Sequence, residues 1–333
     1  MKTYNEFVSD DTINWLLEDD NPSVKYYTLI NLLGKSVSNQ EVINAKNQIM
    51  KKGVVPKILS KQKEGGYWGI EDDFYVRAKY KGTVWNFIIL AELGADEKDP
   101  RIKDTCEFIF KKSQDLKSGG FSCESTASNG GAPSKVIPCL TGNMVWSFIR
   151  FDYLEDPRVQ KGIEWLTTYQ RFDDGIQELP KDWLYKSRTA CFSKHSCHMG
   201  VVKTLKALVE IPQNKRNTND KKTIDKAVEY LLIHHIYKKS HDLSKVSKQG
   251  WLRLGFPLMY QTDILEVLDL LTRLNIKDDR MQDALDILIS KQDKQRRWKL
   301  ENTFNGKFLV NIETKGMPSK WITLKTLQVL KRY

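Results

Sequence analysis

The sequence predicts an all-α fold, an α/α toroid of about six helical hairpins, and three observations predict it. A helical motif returns about every 60 residues, apolar helices separate its copies, and a Gln with a tight Gly or aromatic turn ends most of them. The copies are Asp99-Pro100-Arg101-Ile102, Asp156-Pro157-Arg158-Val159, Asp278-Asp279-Arg280-Met281 and, more loosely, Lys221-Lys222-Thr223-Ile224. Asp suits the N-cap because its carboxylate accepts free backbone N–H groups, and Pro suits the next position, where no donor is needed. Apolar residues follow at i, i+4, i+7: Ile102, Cys106, Ile109; Val159, Ile163, Leu166; Ile224, Val228, Leu231; Met281, Leu285, Leu288. That phase gives a helix with one buried face. Val42, Ala45 and Ile49 form a further, irregular copy.

The turns come next. Gln62 leads to Gly65-Gly66-Tyr67-Trp68, Gln114 to Gly119-Gly120-Phe121 and Gln170 to Asp173-Asp174-Gly175, with Gln249-Gly250-Trp251 and Gln292 to Trp298 continuing the series. Glycine permits the sharp reversal, and the aromatic ring can lock it against the neighbouring hairpin. Between the turns, residues 24–33, 84–93, 144–154, 201–211, 264–271 and 321–330 read as helices apolar almost all round, hence covered on both sides. Six such helices alternating with amphipathic partners imply an inner ring inside an outer one, a single domain over 1–333 with 1–20 as an amino-terminal extension. Periodicity alone leaves an open solenoid as the alternative to a closed ring.

Composition sets outer bounds. Hydrophobic residues at 40% and charged residues at 29% suit a globular chain and exclude a disordered or collagen-like one. No apolar run reaches the roughly 20 residues that cross a bilayer, and the first 15 residues lack the pattern of a secretion signal, so the expected location is the cytoplasm. The net charge of +11 permits anionic partners, yet the basic stretch 215–248 has no aromatic series or nucleic-acid motif, so nucleic acid is not expected. Five Cys, an odd number, argue against a disulfide framework and for packing, catalysis or metal binding. Nothing in the sequence fixes the oligomeric state.

The Gln, Gly-Gly and Trp/Phe turns together with the hairpin period resemble the repeat of the squalene cyclase and protein prenyltransferase β-subunit superfamily, over residues 21–333. The resemblance implies the toroid and a central cavity. It leaves the reaction open, because such scaffolds serve terpene cyclases, prenyltransferases, lanthionine cyclases and binding proteins. Parallel inner helices bring their amino-terminal ends to one mouth, where unpaired N–H groups favour negative charge. Basic residues expected there are Lys79, Lys81 and Lys320, suited to a diphosphate.

Cys139 stands at one inner-helix start, and Cys191, His195, Cys197 and His198 cluster before the next. Thiolate and imidazole are ligands zinc prefers, with four closing a structural site and three leaving a catalytic position open. Cys139 with Cys197-His198 resembles the lanthionine cyclase zinc site, although Met199 intervenes before Gly200 and no acid/base histidine matches. Cys139, Cys191, His195 and Cys197 form an alternative set, and plain packing is the third reading. Expected on the cavity wall are Asp263 and the aromatic residues Tyr80, Trp85, Trp146, Tyr260 and Trp321, whose ring faces suit cations. No Asp-x-Asp-Asp tetrad occurs, which disfavours cyclisation started by that motif. His234-His235 with His241-Asp242, and Glu71-Asp72-Asp73, read as surface groups before anything catalytic. These features point to a zinc-dependent enzyme acting on a thiol or isoprenoid-type substrate, or to a binding protein for a hydrophobic or anionic small molecule or peptide.

Overall fold

A computed structural model describes residues 4–77, 79–128, 130–175 and 178–333. In chain order its helices are α1 (Tyr4–Phe7), α2 (Asp10–Leu16), α3 (Pro22–Tyr27, continued by a π-helical turn Thr28–Leu32), α4 (Gln40–Ile49), α5 (Val54–Leu59), α6 (Thr83–Glu92) and α7 (Pro100–Ser113). There follow α8 (Pro138–Arg150), α9 (Pro157–Tyr169), α10 (His198–Glu210), α11 (Thr218–Ile233), α12 (Ile264–Arg273), α13 (Gln282–Ser290) and α14 (Lys320–Arg332). One small antiparallel hairpin, β1 (Lys238–Lys239) and β2 (Asp242–Val246), follows α11.

The inner helices are α3, α6, α8, α10, α12 and α14. Neighbours pack in that order from α6 to α14, and α14 returns onto α3 and its π-helical turn. The ring is completed where the Tyr27 hydroxyl lies so close to Gly94, at the end of α6, that a Cβ there would fall 2.6 Å from it. Outside stand α4 with α5, α7, α9, α11 and α13, burying the predicted apolar faces; on α4 these are Val42, Ala45 and Ile49. Asp99 and Asp156 cap α7 and α9 as the sequence indicates, while Asp278 caps a 3-10 turn that leads into α13. Two of the three motif arginines also reach a glutamate on the preceding outer helix: Arg158 to Glu107 and Arg280 to Glu229.

The repeated turns share one lock. The backbone N–H of Trp68, Phe121 and Trp298 donates to the hydroxyl of Thr83, Thr141 and Thr323, each in the first turn of an inner helix. The Gln side chain bridges outward: Gln62 Nε2 donates to Arg101 O and Gln114 Nε2 to Arg158 O, both on the next outer helix. In the last repeat Gln292 Nε2 donates to Phe7 O at 2.7 Å. Residues 4–16 therefore take the outer position at the seam, an integral part of the ring where an extension is expected from sequence. No described helix is long and apolar enough to cross a membrane.

Candidate functional site

The inner helices enclose a cavity of about 460 Å³, lined mainly by their central and carboxyl-terminal turns. Its wall is charged in layers. In the middle layer Glu92 of α6 accepts from Lys206 of α10 (3.2 Å) and from Lys325 of α14. Glu266 of α12 accepts from the fully buried Lys203 of α10 through both oxygens, at 2.6 and 2.7 Å. Burial alone would raise the Glu92 carboxyl, but the Lys206 and Lys325 ammoniums outweigh it and hold it well below the usual range. Burial pulls Lys203 down, and Glu266 offsets part of that. At the carboxyl-terminal rim Glu210 accepts from Arg150 (3.3 Å) and Arg273 (2.9 Å), and Asp269 accepts from Arg332. Charges in such a setting persist because they are paired and hydrogen-bonded.

Asp263 lies deeper, at the start of α12. It is 2% exposed; Oδ1 accepts from Glu266 N and Oδ2 from Gly255 N. Burial raises its carboxyl to about 7, against these two hydrogen bonds. A carboxyl that exchanges its proton near neutrality at a cavity wall is a candidate acid or base.

Of the residues the sequence nominates for the wall, Trp146, Asp263 and Trp321 line this cavity. Tyr80, Trp85 and Tyr260 do not; they gather at the amino-terminal ends of the inner helices. Tyr80 stacks on Phe304 with centroids 4.2 Å apart, Trp85 stacks on Tyr75 at 4.6 Å, and the Lys79 ammonium sits over the Tyr260 ring at 4.6 Å. Lys320 is paired with Glu18 and Asp20 rather than free for a diphosphate. Glu71 and Asp72 pair with Lys112.

The five candidate zinc ligands do not converge. Cys197 is the N-cap of α10, with extended backbone, and His198 is the first residue of the helix. His198 turns to the following repeat, stacking on Trp251 with centroids 4.1 Å apart; both ring nitrogens are buried without a hydrogen-bond partner, and burial lowers its pKa to about 3. His195 is bound to Asp174 at 3.3 Å, and His234 reaches the same carboxylate oxygen at 3.4 Å, so Asp174, not Asp242, is the partner of these histidines. Cys139 and Cys191 lie near enough to Cys197 for their charges to interact, but burial is the larger effect and keeps both as thiols, Cys191 pushed up to about 12. Among the described residues no three His, Cys, Asp or Glu side chains are grouped to hold a metal ion. The residues present do not fit the zinc set that the resemblance implies. Cys106 is core, as its place on the apolar stripe of α7 indicates.

The residues that sequence reasoning passes over are the charges inside the inner helices: Glu92, Lys203, Lys206, Glu210, Glu266 and Lys325. Their signal is a charged residue on a helix with no solvent face, recurring at i+3 and i+4, as in Lys203, Lys206 and Glu210.

No family model matches the chain, and no curated protein does. Among solved structures, a protein from Actinoplanes is 13% identical, with 99% of each chain covered and a TM-score of 0.47. The type II terpene cyclase MstE from Scytonema, in its apo form, is 13% identical over 94% of this chain and 87% of its own, at a TM-score of 0.44. A variant of it in complex with geranylgeranyl dihydroxybenzoate gives 14% and 0.42 over the same coverage. At this level of likeness neither substrate nor reaction transfers.

Proposed function

We propose that the protein is an enzyme that holds a small molecule in the central cavity and exchanges a proton with it through Asp263. The observation that carries this reading is a carboxyl with a pKa of about 7 on the wall of a cavity of about 460 Å³. That volume is typical of small-molecule sites, roughly 300–1,000 Å³. The ion pairs position the occupant, because their partners already fix each side chain on a packed helix. Phe256 and Trp321, stacked at 4.4 Å, give the cavity one apolar side, on which the hydrocarbon part of an isoprenoid-type molecule would rest. A binding protein without turnover would use the same cavity but would have no need of the acid.

The test is incubation with the small-molecule fraction of a cell extract, followed by native mass spectrometry. Wild type and Asp263→Asn are expected to carry the same mass adduct, Gln328→Trp, which fills the cavity, to lose it, and only wild type to convert the bound compound. An adduct that survives in Gln328→Trp overturns the cavity as the site. Equal conversion by Asp263→Asn overturns the role of the acid, and binding without conversion in all forms favours the binding protein.

A further inference from the structure

We propose that the central cavity is a blind pocket, entered from the carboxyl-terminal face of the ring through a collar of ion-paired side chains whose fixed width selects what passes. The inference rests on the reading of this cavity as the binding site and adds its route of entry and the residues that set its specificity. It does not depend on the proton held by Asp263.

Among the described residues, the segment 254–263, which leads into α12, closes the amino-terminal end. Gly255, Phe256 and Leu258 line the cavity as its floor. Gly255 N donates to Asp263 Oδ2 at 2.8 Å, and Phe256 stacks on Trp321 of α14 with centroids 4.4 Å apart. Met259 O then accepts from Asn143 Nδ2 of α8 at 3.1 Å, and the Tyr260 ring stands edge-on to Trp85 of α6 at 6.1 Å. A chain that meets α14, α8 and α6 in turn has to lie across the opening these helices surround. Phe256 and Met259 are buried, and close packing of this kind leaves no passage for a solute. A second layer covers the first: Gln261 Nε2 donates to the Tyr80 hydroxyl at 2.9 Å, and Tyr80 stacks on Phe304.

Exposure of the wall rises toward the other end. At the floor Phe256, Asp263 and Trp321 are 2% exposed. In the middle the side chains of Glu92, Lys206 and Glu266 are 9–10% exposed and that of Lys325 30%. At the rim those of Arg150, Arg273 and Arg332 are 29–30% exposed, and Asn31, near the end of the π-helical turn after α3, is open to solvent. Water reaches the wall from the carboxyl-terminal face, and a ligand takes the same way in.

The rim is a connected collar. Arg150 of α8 donates to the Tyr27 hydroxyl of α3 and, at 3.3 Å, to Glu210 of α10. Arg273 of α12 donates to the other Glu210 oxygen at 2.9 Å. Arg332 of α14 donates to Asp269 of α12 and, at 3.2 Å, to the Thr272 hydroxyl. These bonds link α3, α8, α10, α12 and α14, leaving out only α6 among the inner helices. Guanidinium groups held by charge-assisted bonds to packed helices do not swing aside as free side chains do. Widening the opening therefore breaks at least one ion pair, and the collar passes slender molecules and stops broad ones.

Thiol labelling tests the route. Leu324→Cys, with Leu265→Cys as an independent reporter, puts a thiol on the wall within a turn of Trp321 and Asp263, and peptide mass mapping reads it apart from the five native cysteines. Methyl methanethiosulfonate is expected to label the folded protein there, and a dansyl-bearing methanethiosulfonate at least about tenfold more slowly. Asn31→Trp, on the rim, should slow the methyl reagent about tenfold or more, and Arg273→Ala, which opens the collar, should speed the dansyl reagent. Tyr260→Ala, which loosens the floor, should leave both rates unchanged. Faster labelling in Tyr260→Ala overturns the inference, as do rates indifferent to Asn31→Trp, equal rates for the two reagents, or reporters that react only in the urea-unfolded chain. If the extract adduct is lost in Gln328→Trp while labelling ignores Asn31→Trp, the cavity stands as the site and the route falls. Labelling as expected with no adduct from the extract keeps the route and sinks the binding site.

Discussion

Asp263 caps α12 with two backbone N–H bonds while sitting 2% exposed on the cavity wall. Folded, it releases its proton near pH 7; unfolded, near pH 4. Between those values the folded chain binds more protons than the unfolded one, so this group's stabilisation is complete below about pH 4 and is lost as pH rises to about 7. Denaturant unfolding of wild type and Asp263→Asn checks this. Relative to the variant, wild type is expected to lose stability from pH 4.5 to pH 8; a difference constant across that window would show that the carboxyl titrates normally. The same cap is open to recognition from sequence as Asp before a helix, but its proton affinity comes from burial in the surrounding fold, which outweighs the opposing N–H bonds from Gly255 and Glu266. His198 makes the converse point. Its type suggested a ligand, while its first-turn position points it at Trp251.

Between elements, the close approach of α8 and α10 sets the cavity wall, since Trp146 and Arg150 come from one and Lys206 and Glu210 from the other. Gly142 makes the approach possible: a Cβ there would lie 2.4 Å from the carbonyl oxygen of Lys203. Gly142→Ala is expected to cost about 2–3 kcal/mol, read from thermal or denaturant unfolding, because the atoms the new Cβ would meet, in Lys203 and Thr204, are backbone and cannot rotate away. A cost within experimental error would mean that the two helices slide freely. The Gly142 position is visible in sequence only as a glycine in an apolar helix, which disfavours helix slightly and says nothing of a partner. The threonine locks at Thr83, Thr141 and Thr323 are likewise present in sequence as threonines in the first turn of apolar helices, yet their partners lie 15 to 25 residues earlier.

For the whole molecule, the closure of the ring depends on contacts across nearly the full chain. Gln292 holds Phe7 O, Arg297 pairs with Asp11 at 2.8 Å, and Thr12 Oγ1 donates to Gln295 O at 3.2 Å. Gln292→Ala leaves a carbonyl without its donor and is expected to cost about 1 kcal/mol, with faster limited proteolysis within residues 4–20. Gln62→Ala breaks the equivalent bond of an internal repeat and should leave the cleavage rate of that segment unchanged. Equal rates in both variants would show that the seam is held by something other than this bond.

The amino-acid order alone determined the helical hairpins, their caps and the alternation of buried and half-buried helices, because these follow from periodicity and capping within one or two turns of chain. It also placed Trp146, Asp263 and Trp321 near the centre. Only the tertiary structure decided that the ring closes, that residues 4–16 complete it, and that the cavity wall is ionic. Charge pairing is a relation between helices 60 to 230 residues apart in sequence, as for Lys203 with Glu266 and Lys325 with Glu92, and local pattern holds no record of which carboxylate will meet which ammonium.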